Sequence, residues 1–263
     1  MSEAIFGLEL EAAVSSNVRH ATQVGSYHHG KTMPVKGWKA ETDATVRPSG
    51  ELGLDYAIEM VSAPARKATL MQRVDALISW LKEFGEFSDV IDFNESTGCH
   101  IHFSYGARKD DRWVQKYMQF YNLVRLRTRT IRRICKELGD TQASLFSSHY
   151  YRAFAHENDN GALHSEKYVE FNYKSSSTKG LEWRSFNLLG VKSWEAMRKT
   201  ILIGLEELER VLAEMEEVVR FSITKRELAE LQAHGKDVRE THEVHVFNGV
   251  NSAETTEEVE IHV

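Results

Sequence analysis

Hydrophobic and polar residues alternate near the start of the chain, with Phe6, Leu8 and Leu10 on one side and Gly7, Glu9 and Glu11 on the other. A period of two over Ile5–Glu11 belongs to a strand, and gives this one an acidic face. Residues 12–50 are rich in Ser, His, Gly, Lys and Thr with little periodicity. A stretch that long inside a compact domain is usually functional, and a short strand is predicted near Ala44–Val46. A strand over Tyr56–Val61 stops at Ser62-Ala63-Pro64, where proline opposes continuation. Leu70, Val74, Leu77, Ile78, Leu81 and Phe84 then recur at helical spacing, and Gly85 stands where a C-cap is expected.

Alternation returns in Gly98-Cys99-His100-Ile101-His102-Phe103-Ser104, with Cys99, Ile101 and Phe103 on one face and both histidines on the other. Asp110–Leu138 has helical spacing and closes at Gly139. Residues 141–165 read as a mobile polar loop. Tyr168–Tyr173 and Leu181–Leu188 read as strands joined by a turn-rich connector, a candidate hairpin. Ser193 is a plausible N-cap for a long helix marked by Met197, Ile201, Leu205, Leu208, Leu212 and Met215, and Thr224 with Glu227 has the capping-box spacing of a further short one. Residues 1–235 are expected to form one domain, followed by a charged extension over 236–263 that resembles a β-hairpin around Asn248-Gly249.

Three of these strands carry polar pairs at positions i and i+2: Glu9 with Glu11, His100 with His102, and Glu182 with Arg184. A single such pair has a bland explanation, the solvated face of an antiparallel strand. Three together are different, because solvated strand faces favour Thr, Lys and Ser, whereas Glu, His and Arg are the side chains of metal and phosphate sites. Hard divalent ions such as Mg²⁺ and Mn²⁺ prefer carboxylate oxygens and tolerate an imidazole, a preference that Glu9, Glu11, Glu59, Glu182 and His100 meet. Zinc fits less well, since Cys99 should face the core. His102 either binds a ligand or orients a neighbour that does.

Composition narrows the class. The 263 residues include 41% hydrophobic and 27% charged residues, with 3 prolines, as globular domains do. The net charge of −6 supplies no global attraction to nucleic acid or to an anionic membrane. No apolar run approaches the roughly 20 residues of a membrane span. Two cysteines make no disulfide framework, and the Met-Ser-Glu-Ala start has no signal-peptide pattern, so a reducing cytoplasm is expected.

Taken in order, Phe6-Gly7-Leu8-Glu9-Leu10-Glu11, Trp38 followed by Asp43-Ala44-Thr45, Glu59-Met60-Val61-Ser62-Ala63-Pro64, Gly98-Cys99-His100-Ile101-His102, Tyr168–Asn172 and Leu181-Glu182-Trp183-Arg184-Ser185-Phe186-Asn187 resemble the amidoligase family of the glutamine synthetase-like carboxylate-amine ligase superfamily. The resemblance spans roughly residues 5–215. Asp43-Ala44-Thr45 stands for the family's Asp-x-Ser, and Glu182-Trp183-Arg184 for its Glu-Phe-Arg, so a hydroxyl and an aromatic are kept. It implies an α+β fold: a curved antiparallel sheet whose concave face holds ATP and Mg²⁺ (or Mn²⁺), with helices on the convex face. It further implies that Glu11 and Glu59, with Asp43, hold the metal nearer the acceptor carboxylate, that Glu9, His100 and Glu182 hold the one bridging the ATP phosphates, and that Arg184 contacts the transferring phosphoryl group. The expected partners are a carboxylate and an amine, as small molecules or peptides.

Two other classes stay open beside this one. One is a nucleotide-independent metal hydrolase or oxygenase using His100 and His102, and the other a non-catalytic accessory protein that retains the sheet. Between Arg108 and Lys136 ten basic residues face only Asp110 and Asp111. Either they recognise phosphates or an acidic substrate, or they pair with the acidic helix running from Glu206 to Glu217. Arg152, in the loop after the basic helix that closes at Gly139, is a candidate for the substrate carboxylate, and His28 and His29 can border a substrate pocket.

Overall fold

The computed structural model describes residues 4–104, 123–139, 152–154, 169–174, 180–184 and 186–233. Strands β1 (Ile5–Val14), β2 (Lys31–Thr32), β3 (Trp38–Glu41), β4 (Tyr56–Ser62), β5 (Ile91–Asp92), β6 (Cys99–Ser104), β7 (Arg152–Phe154), β8 (Val169–Lys174) and β9 (Gly180–Trp183) alternate with helices α1 (Ser16–Ala21), α2 (Lys67–Leu81), α3 (Phe87–Val90), α4 (Leu123–Leu138) and α5 (Trp194–Ala233). The result is an α+β chain with one open sheet in the order β2-β3-β4-β1-β6-β9-β8-β7, β5 pairing with β1 beside that path. Every pairing is antiparallel except that of β7 with β8.

The sheet separates its residues by pleat. Phe6, Leu8 and Leu10 of β1, Ile58 and Met60 of β4, Cys99, Ile101 and Phe103 of β6 and Trp183 of β9 are all buried, and they merge with the apolar stripes of α2 (Leu70, Val74, Leu77, Leu81) and α5 (Met197, Ile201, Leu205, Leu208, Leu212) in one core. Each such aliphatic side chain contributes about 1.5–3 kcal/mol by leaving water, so this packing fixes which way the strands face. A slipped register would turn the glutamates into it. Gly204 of α5 lets the sheet come close: a Cβ there would lie 2.8 Å from Phe186 Cζ and 3.1 Å from Ile101 Cδ1. At the far corner, Trp38 Nε1 donates to the Arg73 carbonyl at 3.0 Å and ties β3 to α2.

Helix α2 gives way to a single 3₁₀ turn and stops at Gly85, whose φ of 143° suits glycine. Helix α4 ends at Gly139, at φ 94°, and Ser193 caps α5, its Oγ accepting from the Ala196 amide at 3.1 Å. The basic stripe of α4 meets the acidic stripe of α5. Arg129 pairs with Glu214 at 2.7 Å, and Arg133 pairs with Glu137, Glu206 and Glu207. Those two arginines therefore join helices; the part of the basic run before Leu123 lies outside the described residues.

Three expectations differ from the structure. The predicted strand at Ala44–Val46 is a turn, because Asp43 Oδ1 accepts from both the amide and the hydroxyl of Thr45 at 2.6 Å, a local bond that outcompetes a ladder. The strand of that region is instead β3, with β2 beside it. The Thr224–Glu227 pattern starts no new helix, since no glycine or proline interrupts residues 205–233 and α5 runs unbroken. Arg152 lies not in a loop but in β7, paired in parallel with β8. The rest of the expected 141–165 loop falls outside the described residues apart from Arg152–Phe154, as does the 236–263 extension. Among the described residues no helix is long and apolar enough to cross a membrane.

Candidate functional site

The face of the sheet opposite the core carries the charges, and strand register arranges them in rows. Glu41 of β3 lies opposite Glu59 of β4, which lies opposite Glu11 of β1. One step along, Glu9 of β1 opposes His100 of β6, and beyond it His102 opposes Glu182 of β9. Directly paired antiparallel residues share a face with Cβ atoms about 4.5–5.5 Å apart. Residues from five strands thus converge on one surface, and the three pairs read from the sequence are brought together.

Around β6 the charges interlock. His100 Nδ1 lies 3.2 Å from Glu9 Oε2, 3.3 Å from Glu182 Oε1 and 3.9 Å from Glu11 Oε1. His102 Nε2 lies 2.8 Å from Glu9 Oε1 and 3.9 Å from Glu182 Oε1. Arg184 Nη1 donates to Glu182 Oε1 at 2.7 Å. The Glu182 side chain is fully buried and that of His100 is 3% exposed, so these are contacts in a low-dielectric setting, where opposite charges hold each other strongly and a lone one is costly. Burial works against the Glu9 carboxylate, yet the hydrogen bonds from His100 and His102 hold it well below the usual carboxylate range. Glu182 likewise resists burial and is lowered, by the charges of His100 and Arg184. His100 is opposed by burial too, and is raised above an ordinary imidazole by its bond to Glu9 and by the Glu11 and Glu182 charges.

The row on β3, β4 and β1 contains acids alone. Burial raises Glu11, the His100 charge only partly offsetting it. Burial, joined by the charges of Glu9, Glu11, Glu41 and Asp43, pushes Glu59 up to about 9. Such a row is stable only with protons or cations among its members, since like charges directly opposite one another repel.

A metal fits this donor set. One carboxylate oxygen each from Glu9 and Glu182 and a ring nitrogen of His102 lie within 4.8 Å of one another, and carboxylates with an imidazole suit Mg²⁺ or Mn²⁺. The trio contains His102, whereas the resemblance assigns His100; both imidazoles reach the same two carboxylates. Asp43 is half-buried, lies near enough to raise Glu11 and Glu59, and turns one oxygen to Thr45. Arg152 sits in β7, two strands beyond β9. Cys99 is wholly buried in the core.

Three residues to which the sequence analysis gave no role lie at or beside this surface. Glu41 is 8% exposed and continues the acidic row; the alternation of buried Trp38 and Ala40 with Lys39 and Glu41 was its signal. Gly98 makes room, for a Cβ there would lie 2.6 Å from His100 Nε2 and 3.0 Å from Glu11 Oε2. Asn94 fastens the neighbouring loops, donating to the Arg47 carbonyl at 3.0 Å and to Ser49 Oγ at 2.9 Å while accepting from the Ser96 amide.

No family model matches the chain, and no curated protein matches it.

Proposed function

We propose that the chain is an ATP- and Mg²⁺-dependent carboxylate-amine ligase, of the glutamine synthetase-like type that its ordered motifs resemble, with the polar face of the sheet as a concave active surface. The observation that carries this reading is the gathering of Glu9, Glu11, Glu59, His100, His102, Glu182 and Arg184 on one face of one antiparallel sheet. So many hard ligands beside an arginine suit a site that binds several cations and a polyphosphate together.

Joining an amine to a carboxylate requires the acid to be activated, because a carboxylate in water is a poor electrophile; phosphorylation to an acyl phosphate supplies the leaving group. Divalent ions, when bound, neutralise charge on the transferred phosphoryl group and lessen repulsion between two anions. Glu9, Glu182 and a histidine are the residues to hold an ion on the phosphate side, and Glu11 and Glu59 one on the acceptor side. Arg184 offers planar donors to phosphoryl oxygens, a geometry lysine does not reproduce. Its bond to Glu182 orients the guanidinium before substrate arrives.

The closeness of His102 Nε2 to both Glu9 and Glu182 favours a second reading, a metal hydrolase or oxygenase working without nucleotide. A thermal-shift experiment with ATP and Mg²⁺, each alone and together, separates the two. Stabilisation by the pair well beyond the sum of the separate effects, with ADP released in a screen of acids and amines, is expected of the ligase. Stabilisation by the metal that ATP does not enhance would point to the second reading.

A further inference from the structure

Lys39 shares the polar face of the sheet with the acids, and no motif assigns it a role. We propose that Lys39 binds a second anionic group on the acid substrate, so that the enzyme takes short acids with two anionic ends, one activated beside Glu59 and Glu11 and the other held at β3. The inference rests on the ligase reading for the first end and on the geometry of β3 for the second.

Register puts Lys39 on this face. It stands two residues before Glu41 on β3, and side chains at that spacing on a strand point the same way. It lies directly opposite Val61 of β4, which lies opposite Glu9 of β1. Lys39, Val61 and Glu9 thus form a row beside that of Glu41, Glu59 and Glu11. The diagonal from Lys39 to Glu59 is about 7–8 Å, within reach of a long side chain.

Lys39 nonetheless has no acid of its own. Its side chain is exposed and makes neither a hydrogen bond nor an ion pair, whereas the Arg184 guanidinium on this face is bonded to Glu182. Glu41, its neighbour along the strand, is engaged elsewhere. The Glu41 Oε1 accepts the His28 amide at 3.0 Å, and His28 is the one non-glycine residue at positive φ, 60°, among those described. Gly30 keeps open the space between the two side chains, since a Cβ there would lie 3.2 Å from Lys39 Cβ and 3.0 Å from Glu41 Oε2. The ammonium is left for an anion that arrives from solution, with which it makes a charge-assisted bond.

Position in the sheet selects an anion of the substrate over one of the nucleotide. The order β3-β4-β1-β6-β9 sets four strand spacings of 4.7–4.9 Å, about 19 Å in all, between Lys39 and Glu182. Arg184, the group for the transferred phosphoryl, follows Glu182 in the chain. Glu59 and Glu11, on the acceptor side, stand on the two strands next to β3. Val61 lies between and is half-buried, an apolar floor for the carbons that join the two anionic ends.

The test titrates succinate, glutarate and adipate, and butyrate, pentanoate and hexanoate, into the full chain in Mg²⁺ and ADP, followed by ligand-observed NMR. Wild type is compared with Lys39→Met, Lys39→Arg and Lys31→Met. Lys31 is the control, because its partner Ala40 is a core residue and Lys31 therefore stands on the other face of the sheet. In wild type at least one dicarboxylate should bind about tenfold or more tighter than the monocarboxylate of equal length. Lys39→Met should erase that preference, Lys39→Arg should restore most of it and Lys31→Met should keep it, with ADP affinity unchanged throughout. Melting curves check folding, and Lys39→Gln replaces the methionine variant if that one does not fold. No such preference in wild type, a preference that survives in Lys39→Met, or one lost equally in Lys31→Met overturns the proposal. Weakened ADP binding in Lys39→Met with the preference intact assigns Lys39 to the nucleotide and overturns it too. The ligase reading is decided separately by the synergy of ATP and Mg²⁺ in wild type: without synergy that reading falls, while a preference that depends on Lys39 still supports the anion site.

Discussion

Replacing Glu59 with glutamine is expected to stabilise the metal-free protein near neutral pH. The substitution keeps the side chain's size and replaces a carboxyl group that the folded chain holds protonated near neutral pH with an amide that cannot ionise. The Glu59 carboxyl is pushed up to about 9 by burial and by its acidic neighbours, from an ordinary 4.5. Because the folded value lies above the unfolded one, the folded chain holds the proton that the unfolded chain has lost, so stability declines as pH climbs from about 4.5 and levels off only near 9. At pH 7 the interval above 4.5, at ~1.4 kcal/mol per pH unit, amounts to a cost on the order of 3 kcal/mol. For a domain of this size that corresponds to roughly 6–12 °C in melting temperature. Scanning calorimetry in EDTA at pH 5 and pH 7 reads it: the variant should melt higher at pH 7, with a gap that shrinks towards pH 5. Adding Mn²⁺ should then raise the wild type more than the variant, which keeps Glu9, Glu182 and the histidines but has lost one of the acidic ligands. A Glu59→Gln protein that melts lower than wild type at pH 7 in EDTA, or a gap independent of pH, would falsify the account of this row as charges awaiting a cation.

Three further outcomes follow from the same surface. Arg184→Lys and Arg184→Ala should both lower kcat and kcat/KM for ADP release, by about 100-fold to 1,000-fold for the alanine variant; turnover that survives in a folded but destabilised Arg184→Ala protein would reduce Arg184 to a partner of Glu182. Gly98→Ala, whose methyl group would lie 2.6 Å from His100 Nε2, should leave a folded protein with Mn²⁺ affinity weakened by about tenfold or more, and unaltered affinity would show that the ring has space to yield. The Cys99 thiol, pushed up by burial and wholly enclosed, should resist a thiol reagent in the native protein while the half-buried Cys135 reacts; equal labelling would mean that the back of the sheet opens readily.

Which residues share a face was readable before any fold was known, because the period of two in Phe6–Glu11 and Cys99–Phe103 is dictated by the pleat. Strand neighbours were not. Nothing local to Trp38–Glu41 states that it pairs with Tyr56–Ser62, yet that pairing sets Glu41 against Glu59. Likewise His102 meets Glu182 only because β6 and β9, far apart in sequence, lie side by side. Turn chemistry misled where it coincided with alternation, as at Asp43-Ala44-Thr45. Arg152–Phe154 escaped notice because three residues give too short a pattern, and a parallel partner leaves no hairpin signal. The choice between His100 and His102 turns on ring nitrogens and side-chain reach, which spacing along a strand does not encode.

The absent side chain at Gly204 links the two sides of the sheet. The Phe186 ring lies against that gap and packs on Trp183 at 5.1 Å between ring centroids, and Trp183 is flanked in the chain by Glu182 and Arg184. A larger residue at 204 must push on Phe186 or Ile101, and the displacement would reach the segment that carries the charges through a tightly packed interior. Selection on chemistry at the front of the sheet would therefore be felt by a helix residue that touches none of the reacting groups. Among natural variants of this chain, substitutions at 204 should be as rare as those at Glu182, and any that persist should come with a smaller side chain at 186 or 101.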